Sequence, residues 1–159
     1  MKGLCVRLPI LLIMCVVVVT LVACGTSGQV AGPISGSEPL QTQEVPVEGG
    51  GTYTDVNAAG LSTLLEDKDF LLINVYIPYE GEIEGTDLFI PFNEIEQNLD
   101  KLPSDKDAKL VVYCRSGGKS AIAARSLVKV GYRDVWNLDG GMIAWEQAGY
   151  QLLDKGSQG

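Results

Sequence analysis

Apolar runs separated by helical patterns recur over much of the chain. Near-continuous apolar runs at 70–76, 110–113 and 135–138 are typical of strands that are buried on both faces of a parallel sheet. A shorter strand is expected at 88–90, where Pro91 ends it. Strands that alternate with helices predict an α/β fold, in which a mostly parallel central sheet is covered by helices on both faces.

Helix signals lie before and between these strands. They predict helices over 55–68, 93–101, 120–130 and 142–148. Asp55 is expected to cap the first helix, because its carboxylate can accept hydrogen bonds from the free N–H groups of the first turn. Gly131 fits the left-handed position that commonly follows a helix. The predicted elements leave a tight strand-to-helix turn after residue 113.

That turn carries the most informative residues of the chain, with Cys114 at its start. Only the thiolate form of a cysteine attacks an electrophile, and the thiolate is favoured by nearby cations and by a helix N-terminus. Arg115 and Lys119 supply the cations, and Ser120 is suited to cap the following helix. Sites on α/β sheets lie at the C-terminal ends of the strands, which is where Cys114 is expected. The pattern therefore predicts that Cys114 is a nucleophile.

The glycines of the same turn predict an anion-binding loop. Gly117 and Gly118 permit positive φ, so the backbone N–H groups can point inward around an anion. The residues expected to bind the substrate are Arg115, Ser116, Gly117, Gly118, Lys119 and Ser120. The alternative is an inert cysteine at a strand end, followed by an ordinary glycine-rich turn.

Residue composition excludes several classes of mechanism. The chain has no histidine, so Ser-His-Asp catalysis, Cys-His catalysis and histidine-ligated metal sites are excluded. A single cysteine in the folded part cannot form a thiolate zinc site, and neither a metal nor another cofactor is expected. The formal net charge of −8 argues against nucleic acid as a partner and against electrostatic binding to anionic lipid.

The N-terminal segment predicts export and lipidation. Residues 1–23 combine a basic start with an apolar stretch over 8–23, which is the pattern of a secretory signal peptide. The stretch has 16 residues, fewer than the roughly 20 that a membrane-spanning helix needs. The sequence Leu-Val-Ala-Cys at 21–24 is similar to a bacterial lipobox, which implies cleavage before Cys24 and a lipid on that cysteine. The alternative is an uncleaved membrane anchor.

Lipidation of Cys24 implies a location and a domain organisation. The protein is expected at the extracytoplasmic face of a bacterial cell membrane, to which the N-terminal lipid holds it. Residues 24–52 contain the lipidated cysteine and a stretch rich in Gly, Ser, Thr, Pro and Gln, which predicts a flexible linker. The folded domain is expected over 53–155, and Cys114 would be the only free thiol of the mature protein.

Three stretches of the folded part carry a family resemblance. The first reads Val-Val-Tyr-Cys-Arg-Ser-Gly-Gly-Lys-Ser over 111–120, and the second reads Asn-Leu-Asp-Gly-Gly-Met-Ile-Ala-Trp over 137–145. The third combines Leu-Ile-Asn-Val at 72–75 with Ile-Pro-Phe at 90–92. Together they resemble the rhodanese family of single-domain sulfurtransferases, over about residues 53–153.

The resemblance implies a thiosulfate sulfurtransferase-like enzyme. Cys114 would take the outer sulfur of thiosulfate, or of a similar small sulfur-containing anion, as a persulfide. It would then pass this sulfur to a thiol, to cyanide or to a protein acceptor. Arg115 and Lys119 would bind the donor's oxygens, and backbone N–H groups of residues 115–119 would hold the terminal sulfur.

The sequence departs from the family pattern after the first strand. Asn74 and Tyr76 stand where the family usually has aspartate and arginine, and the stretch 81–86 lacks the family's usual histidine. The resemblance implies that the family's aspartate and arginine form a structural ion pair. Because both are absent here, neither leaves an unpaired charge in the fold. The acids that follow either line the rim of the pocket, where they would repel anionic donors, or form a solvated loop; they are Glu80, Glu82, Glu84 and Asp87.

Two other functions are compatible with parts of the pattern. A non-catalytic persulfide carrier, or a membrane-tethered interaction module, would use the same fold, and a carrier would also need the cysteine. A related class of phosphatases uses a loop of similar shape, with an arginine six residues after its cysteine, where this chain has Ser120. The loop is one residue too short for phosphate, so the pattern favours sulfur transfer.

Overall fold

The computed structural model describes residues 39–154, which form a six-stranded sheet with flanking helices. The strands are β1 (Thr42–Pro46), β2 (Thr52–Val56), β3 (Leu71–Asn74), β4 (Leu88–Phe89), β5 (Leu110–Tyr113) and β6 (Val135–Leu138). They lie in the order β1-β2-β6-β5-β3-β4, and every neighbouring pair is parallel except β1 with β2. The prediction of a mostly parallel central sheet is confirmed.

Helices cover both faces of this sheet, as the sequence predicts. They are α1 (Ala58–Glu66), α2 (Gly118–Lys129) and α3 (Gly141–Gln147), with a 3₁₀ segment at Ile95–Lys101. On one face, Leu127 of α2 packs in a core cluster with Ile95 of the 3₁₀ segment. On the other face, Leu61 of α1 packs in a second cluster with Met142 of α3. The sheet therefore separates two apolar cores.

Strand β5 shows why its apolar run is continuous rather than alternating. All of its residues are buried. Leu110 and Val112 belong to the core beside α2, whereas Val111 and Tyr113 belong to the core beside α1 and α3. Successive side chains of a strand point to opposite faces, so a strand between two covered faces needs an apolar residue at every position. The end of β5 places Cys114 at the C-terminal edge of the sheet.

The N-terminal boundary of the folded part differs from the prediction. The sequence predicts a flexible linker over 24–52, whereas Thr42–Pro46 forms β1 and pairs antiparallel with β2. Val47 is buried and Val45 packs against the same core. Most residues of β1 are exposed at the edge of the sheet, so its composition is as polar as that of a linker. The linker prediction is wrong for this segment because pairing with β2, rather than local composition, orders it.

The start of the first helix also differs from the prediction. Asp55 lies in β2, opposite Asn137 of β6, and does not cap α1. The cap is Asn57, whose Oδ1 accepts a hydrogen bond from Gly60 N at 2.9 Å. Strand β2 gave no clear apolar pattern because Tyr53 and Val56 are its only buried residues.

Several predictions concern residues outside the described part of the chain. The signal peptide at 1–23, the lipid on Cys24, the linker up to residue 38 and the last residue of the predicted domain all lie there. Between residues 39 and 154, no helix has the length and apolar character needed to cross a bilayer. Export and lipidation therefore stay predictions.

Candidate active site

Cys114 lies directly after β5, and only 1% of its surface is exposed. Its carbonyl oxygen accepts a hydrogen bond from Met142 N at 2.9 Å, which ties the end of β5 to the first turn of α3. Gly141 approaches the same carbonyl so closely that a β-carbon there would lie 2.2 Å from Cys114 O. The two glycine-containing motifs of the sequence thus pack directly against each other.

The turn after Cys114 enters α2 through Gly117. This residue has a φ of 84° and occupies the cap position, while Gly118 is the first residue of the helix and has no positive φ. A β-carbon at Gly117 would lie 3.0 Å from Gly140 N, so the position combines a left-handed backbone with a close approach. The prediction that Ser120 caps the helix is wrong, because the helix begins two residues earlier.

Ser120 instead contacts the sulfur of Cys114. Ser120 N and Ser120 Oγ both donate to Cys114 Sγ, each at 3.3 Å. Ser120 is fully buried, so both donors act where water does not compete. The hydroxyl also lies 3.0 Å from Gly117 O, so its single proton is shared between the sulfur and this carbonyl. Two donors at the N-terminus of a helix are suited to stabilising negative charge on the sulfur.

Arg115 extends to the surface and forms an ion pair with Glu80. A guanidinium nitrogen donates to a carboxylate oxygen, and the two side chains are 51% and 40% exposed. Glu80 belongs to the segment that follows β3, so this contact places one acid of that segment at the rim of the cysteine loop. Ser116, the next residue of the loop, is exposed.

Lys119 directs its ammonium group to the same segment. Its Nζ donates to Ile77 O at 2.7 Å. It also lies 4.6 Å from the ring centre of Tyr76 and 5.6 Å from that of Phe92. Aromatic faces attract cations, so the carbonyl and the two rings together hold the lysine head. Binding of donor oxygens by Lys119 stays a prediction, since the contact present is with the protein's own backbone.

Two other acidic residues of the segment after β3 connect it to other parts of the domain, Glu82 through its backbone and Asp87 through its carboxylate. Glu82 is 6% exposed and exchanges backbone hydrogen bonds with Leu153, at 2.9 and 2.7 Å. Asp87 pairs with Lys68 at 2.7 Å and accepts a hydrogen bond from Leu72 N at the same distance. The acids are therefore neither a uniform rim nor a uniformly solvated loop.

Asn74 has a structural role that sequence reasoning missed. It is fully buried, its Nδ2 donates to Gly81 O at 3.0 Å, and its Oδ1 accepts from Tyr76 N at 2.9 Å. An amide offers a donor and an acceptor, whereas a carboxylate offers acceptors alone. Asn74 thus holds both ends of the segment 76–81. The sequence signal that could have indicated this role is an amide side chain at the end of an otherwise apolar strand.

Tyr113 ties the following part of that loop to the residue before the cysteine. Its hydroxyl accepts a hydrogen bond from Ile83 N at 3.0 Å and lies 2.7 Å from Thr86 Oγ1. Burial raises the pKa of the Tyr113 phenol well above its usual value, so this side chain stays neutral at physiological pH. The whole 76–86 region is therefore anchored on β3 and β5 beside Cys114.

The fold and the site define an α/β protein with a buried cysteine held at the N-terminus of a helix. The chain belongs to the rhodanese-like domain family, whose model matches residues 58–148. A protein described as a sulfurtransferase from Allochromatium vinosum is 36% identical over 103 residues, which cover 62% of this chain and 94% of that protein. Sulfur transfer in general is therefore the activity that the family and this relative support.

Other proteins are similar to this chain in sequence or in fold. A tRNA uridine(34) hydroxylase of Escherichia coli is 30% identical over 96 residues, which cover 57% of this chain and 27% of that protein. The crystal structure of a rhodanese-related protein from Thermoplasma volcanium matches with a TM-score of 0.53 at 27% identity, over 62% of this chain and 96% of that one. The predicted rhodanese-like fold is confirmed.

Proposed function

We propose that this protein moves a sulfane sulfur from thiosulfate, or from a similar donor, to an acceptor through a persulfide on Cys114. The acceptor would be a thiol, cyanide or a protein. The observation that carries the proposal is the pair of hydrogen bonds from Ser120 N and Ser120 Oγ to the buried Cys114 sulfur.

The reaction proceeds in two displacements on sulfur. In the first, the Cys114 thiolate attacks the outer sulfur of thiosulfate, the sulfur–sulfur bond of the donor breaks, and sulfite leaves with the bonding electron pair. In the second, the acceptor attacks the terminal sulfur of the persulfide, and the Cys114 thiolate leaves. With cyanide as acceptor the product is thiocyanate, and no oxidant or reductant is consumed.

The residues of the turn support each anionic state of the sulfur. Ser120 donates two hydrogen bonds to the attacking thiolate and again to the thiolate that leaves. Arg115 lies at the open side of the loop, where the oxygens of a bound donor would come within its reach. Cys114 is 1% exposed, so its own sulfur would be shielded from water in the persulfide while the outer sulfur is presented to the acceptor.

The test is to measure thiocyanate production and the intact mass of the protein after incubation with thiosulfate. Wild type is expected to gain the mass of one sulfur atom and to turn over with cyanide. Cys114→Ser is expected to lose both properties, because a serine hydroxyl cannot form the persulfide. Undiminished turnover in Cys114→Ser would contradict the proposal.

A persulfide carrier is the second candidate, and the ion pair between Arg115 and Glu80 favours it. Because this pair engages the exposed cation of the loop, a small anionic donor would compete with Glu80 for the guanidinium. A carrier would receive its sulfur from another protein instead. Stable persulfide on Cys114 together with no turnover on small donors and acceptors would favour the carrier.

We further propose that a lipid on Cys24 holds the domain at the extracytoplasmic face of a bacterial membrane. The lipobox-like sequence at 21–24 supports this proposal. The Cys24→Ala variant is expected to be absent from the membrane fraction and to lack the mass of the lipid. An unchanged distribution and an unprocessed mass in both proteins would point to an uncleaved anchor instead.

A further inference from the structure

Both cations of the cysteine loop are engaged by one short segment, residues 76–80, which follows β3. Lys119 donates to Ile77 O at 2.7 Å, and Arg115 pairs with the carboxylate of Glu80. The lysine contact is to a backbone carbonyl and leaves the lysine charge in place. The arginine contact is to a full negative charge, which offsets the charge of the guanidinium beside the cysteine.

The backbone on both sides of Glu80 is held by one buried residue, Asn74. Asn74 accepts a hydrogen bond from Tyr76 N at the start and donates one to Gly81 O at the end. Asn74 is fully buried at the end of β3, so the segment begins and ends on a rigid point of the sheet. Glu80 is the residue directly before Gly81, so its backbone is held at a point from which its carboxylate reaches Arg115.

From this geometry we infer that Glu80 is a specificity-determining residue, which disfavours doubly charged sulfur donors relative to singly charged ones. The inference rests on the proposed function, because it concerns the donor that loads Cys114. The oxygens of a sulfonate-type donor and the carboxylate of Glu80 compete for the same guanidinium. The electrostatic cost grows with the charge of the donor, so a dianion is affected more than a monoanion.

The expected effect of Glu80 on donor preference is small, because the ion pair between Arg115 and Glu80 is exposed to solvent. Arg115 and Glu80 are 51% and 40% exposed, so water and salt screen their interaction. An exposed ion pair changes an equilibrium by up to about fivefold. Glu80 therefore tunes the preference between donors and does not block the site.

Two donors that transfer the same kind of sulfur atom but differ in net charge show whether Glu80 acts on the charge of the donor. Thiosulfate carries two negative charges, and methanethiosulfonate carries one because a methyl group replaces an oxygen. The Cys114 thiolate attacks the outer sulfur in both cases, and the sulfur–sulfur bond breaks. Sulfite leaves from the first donor and methanesulfinate from the second, each with the bonding electron pair, and the same persulfide remains.

The experiment compares both donors on the full-length protein with and without Glu80→Gln, with cyanide as acceptor. Removing the charge is expected to raise kcat/KM about fivefold for thiosulfate and about twofold for methanethiosulfonate, through KM rather than kcat. The gain is expected to shrink at high salt. Glu84→Gln is the matched control, since it removes an exposed acid of the same loop, and it is expected to leave the ratio between the donors unchanged.

The outcomes separate this inference from the proposed function. If both donors load Cys114 and Glu80→Gln leaves their ratio unchanged, the role of Glu80 is overturned while sulfur transfer stands. An equal shift in Glu84→Gln would also overturn it, because the effect would then belong to the charge of the loop as a whole. If neither donor adds sulfur to Cys114 in any variant, the proposed function itself fails, and this inference fails with it.

Discussion

At the scale of single residues, the site consists of Cys114 and of Ser120, which donates hydrogen bonds to its sulfur. The spacing between them allows one side chain and one backbone N–H to reach the same sulfur, at 3.3 Å each. The hydroxyl has a second acceptor in Gly117 O, at 3.0 Å. When the sulfur becomes negatively charged, the shared proton is expected to favour the sulfur, because a charged acceptor forms the stronger hydrogen bond.

Ser120→Ala is therefore expected to lower kcat/KM for sulfur transfer by about tenfold, since one hydrogen bond to a charged group is lost while the backbone N–H remains. Thiocyanate production measures the effect, and a thermal melt checks that the variant is folded. Ser126→Ala, which removes a hydroxyl further along α2, is the matched control and is expected to retain wild-type activity. Equal activity in the two variants would remove Ser120 from the mechanism.

At the scale of elements, the site depends on how α3 packs against the cysteine loop. Met142 N and Ile143 N, both in α3, donate to Cys114 O and Arg115 O at 2.9 Å. These two bonds hold the backbone of the loop from behind. They require the close approach at Gly141, whose φ is 58° and whose α-hydrogen faces Cys114 O.

Gly141→Ala is expected to lower the free energy of unfolding by about 2 kcal/mol or more, because the new β-carbon would clash with Cys114 O in a backbone conformation that alanine rarely adopts. Urea unfolding measures this loss, and sulfur transfer should fall with it. Gly118→Ala is the matched control for stability. A β-carbon there meets nothing within 4 Å, so the free energy of unfolding is expected to stay unchanged or to rise slightly. A Gly141→Ala protein as stable as Gly118→Ala would contradict the packing argument.

At the scale of the whole molecule, β1 completes the sheet and one of its cores. It covers the edge of β2 through antiparallel pairing from Thr42 with Val56 to Pro46 with Thr52. Val45 and Val47 add apolar surface to the core beside α2. The folded unit therefore includes residues that the composition assigns to a tether.

A chain that begins at residue 53 is expected to be less stable than one that begins at residue 39, by about 2 kcal/mol or more. It loses the strand pairing and the burial of Val47, and burial of one valine alone contributes on the order of 1.5 kcal/mol. Urea unfolding of the two chains measures the difference. Equal stabilities would restore the boundary that the sequence predicts.

The local sequence was sufficient to predict a strand where nearly all of its residues are buried, and to predict a helix end where the backbone requires glycine. The predicted strands at 110–113 and 135–138 coincide with β5 and β6, because strands between two covered faces show continuous or, with Asn137 in β6, nearly continuous apolar runs. Gly131 follows α2 with a φ of 100°, as expected for the left-handed position after a helix. The prediction failed for β1, whose mostly exposed positions look like a linker until the neighbouring strand is known. It also failed for β2, where a helix was expected to start at Asp55, because only two of the five residues of β2 are buried.

The sequence by itself determined the fold class and the position of Cys114 in a strand-to-helix turn, because apolar periodicity and glycine positions are local properties of the chain. Only the tertiary structure decided what the neighbours of the sulfur do. Ser120 donates hydrogen bonds to the Cys114 sulfur and does not cap α2, and Arg115 and Lys119 contact the segment after β3. Arg115 and Glu80 are 35 residues apart in the chain, and Lys119 and Ile77 are 42 residues apart, separations that no local pattern encodes.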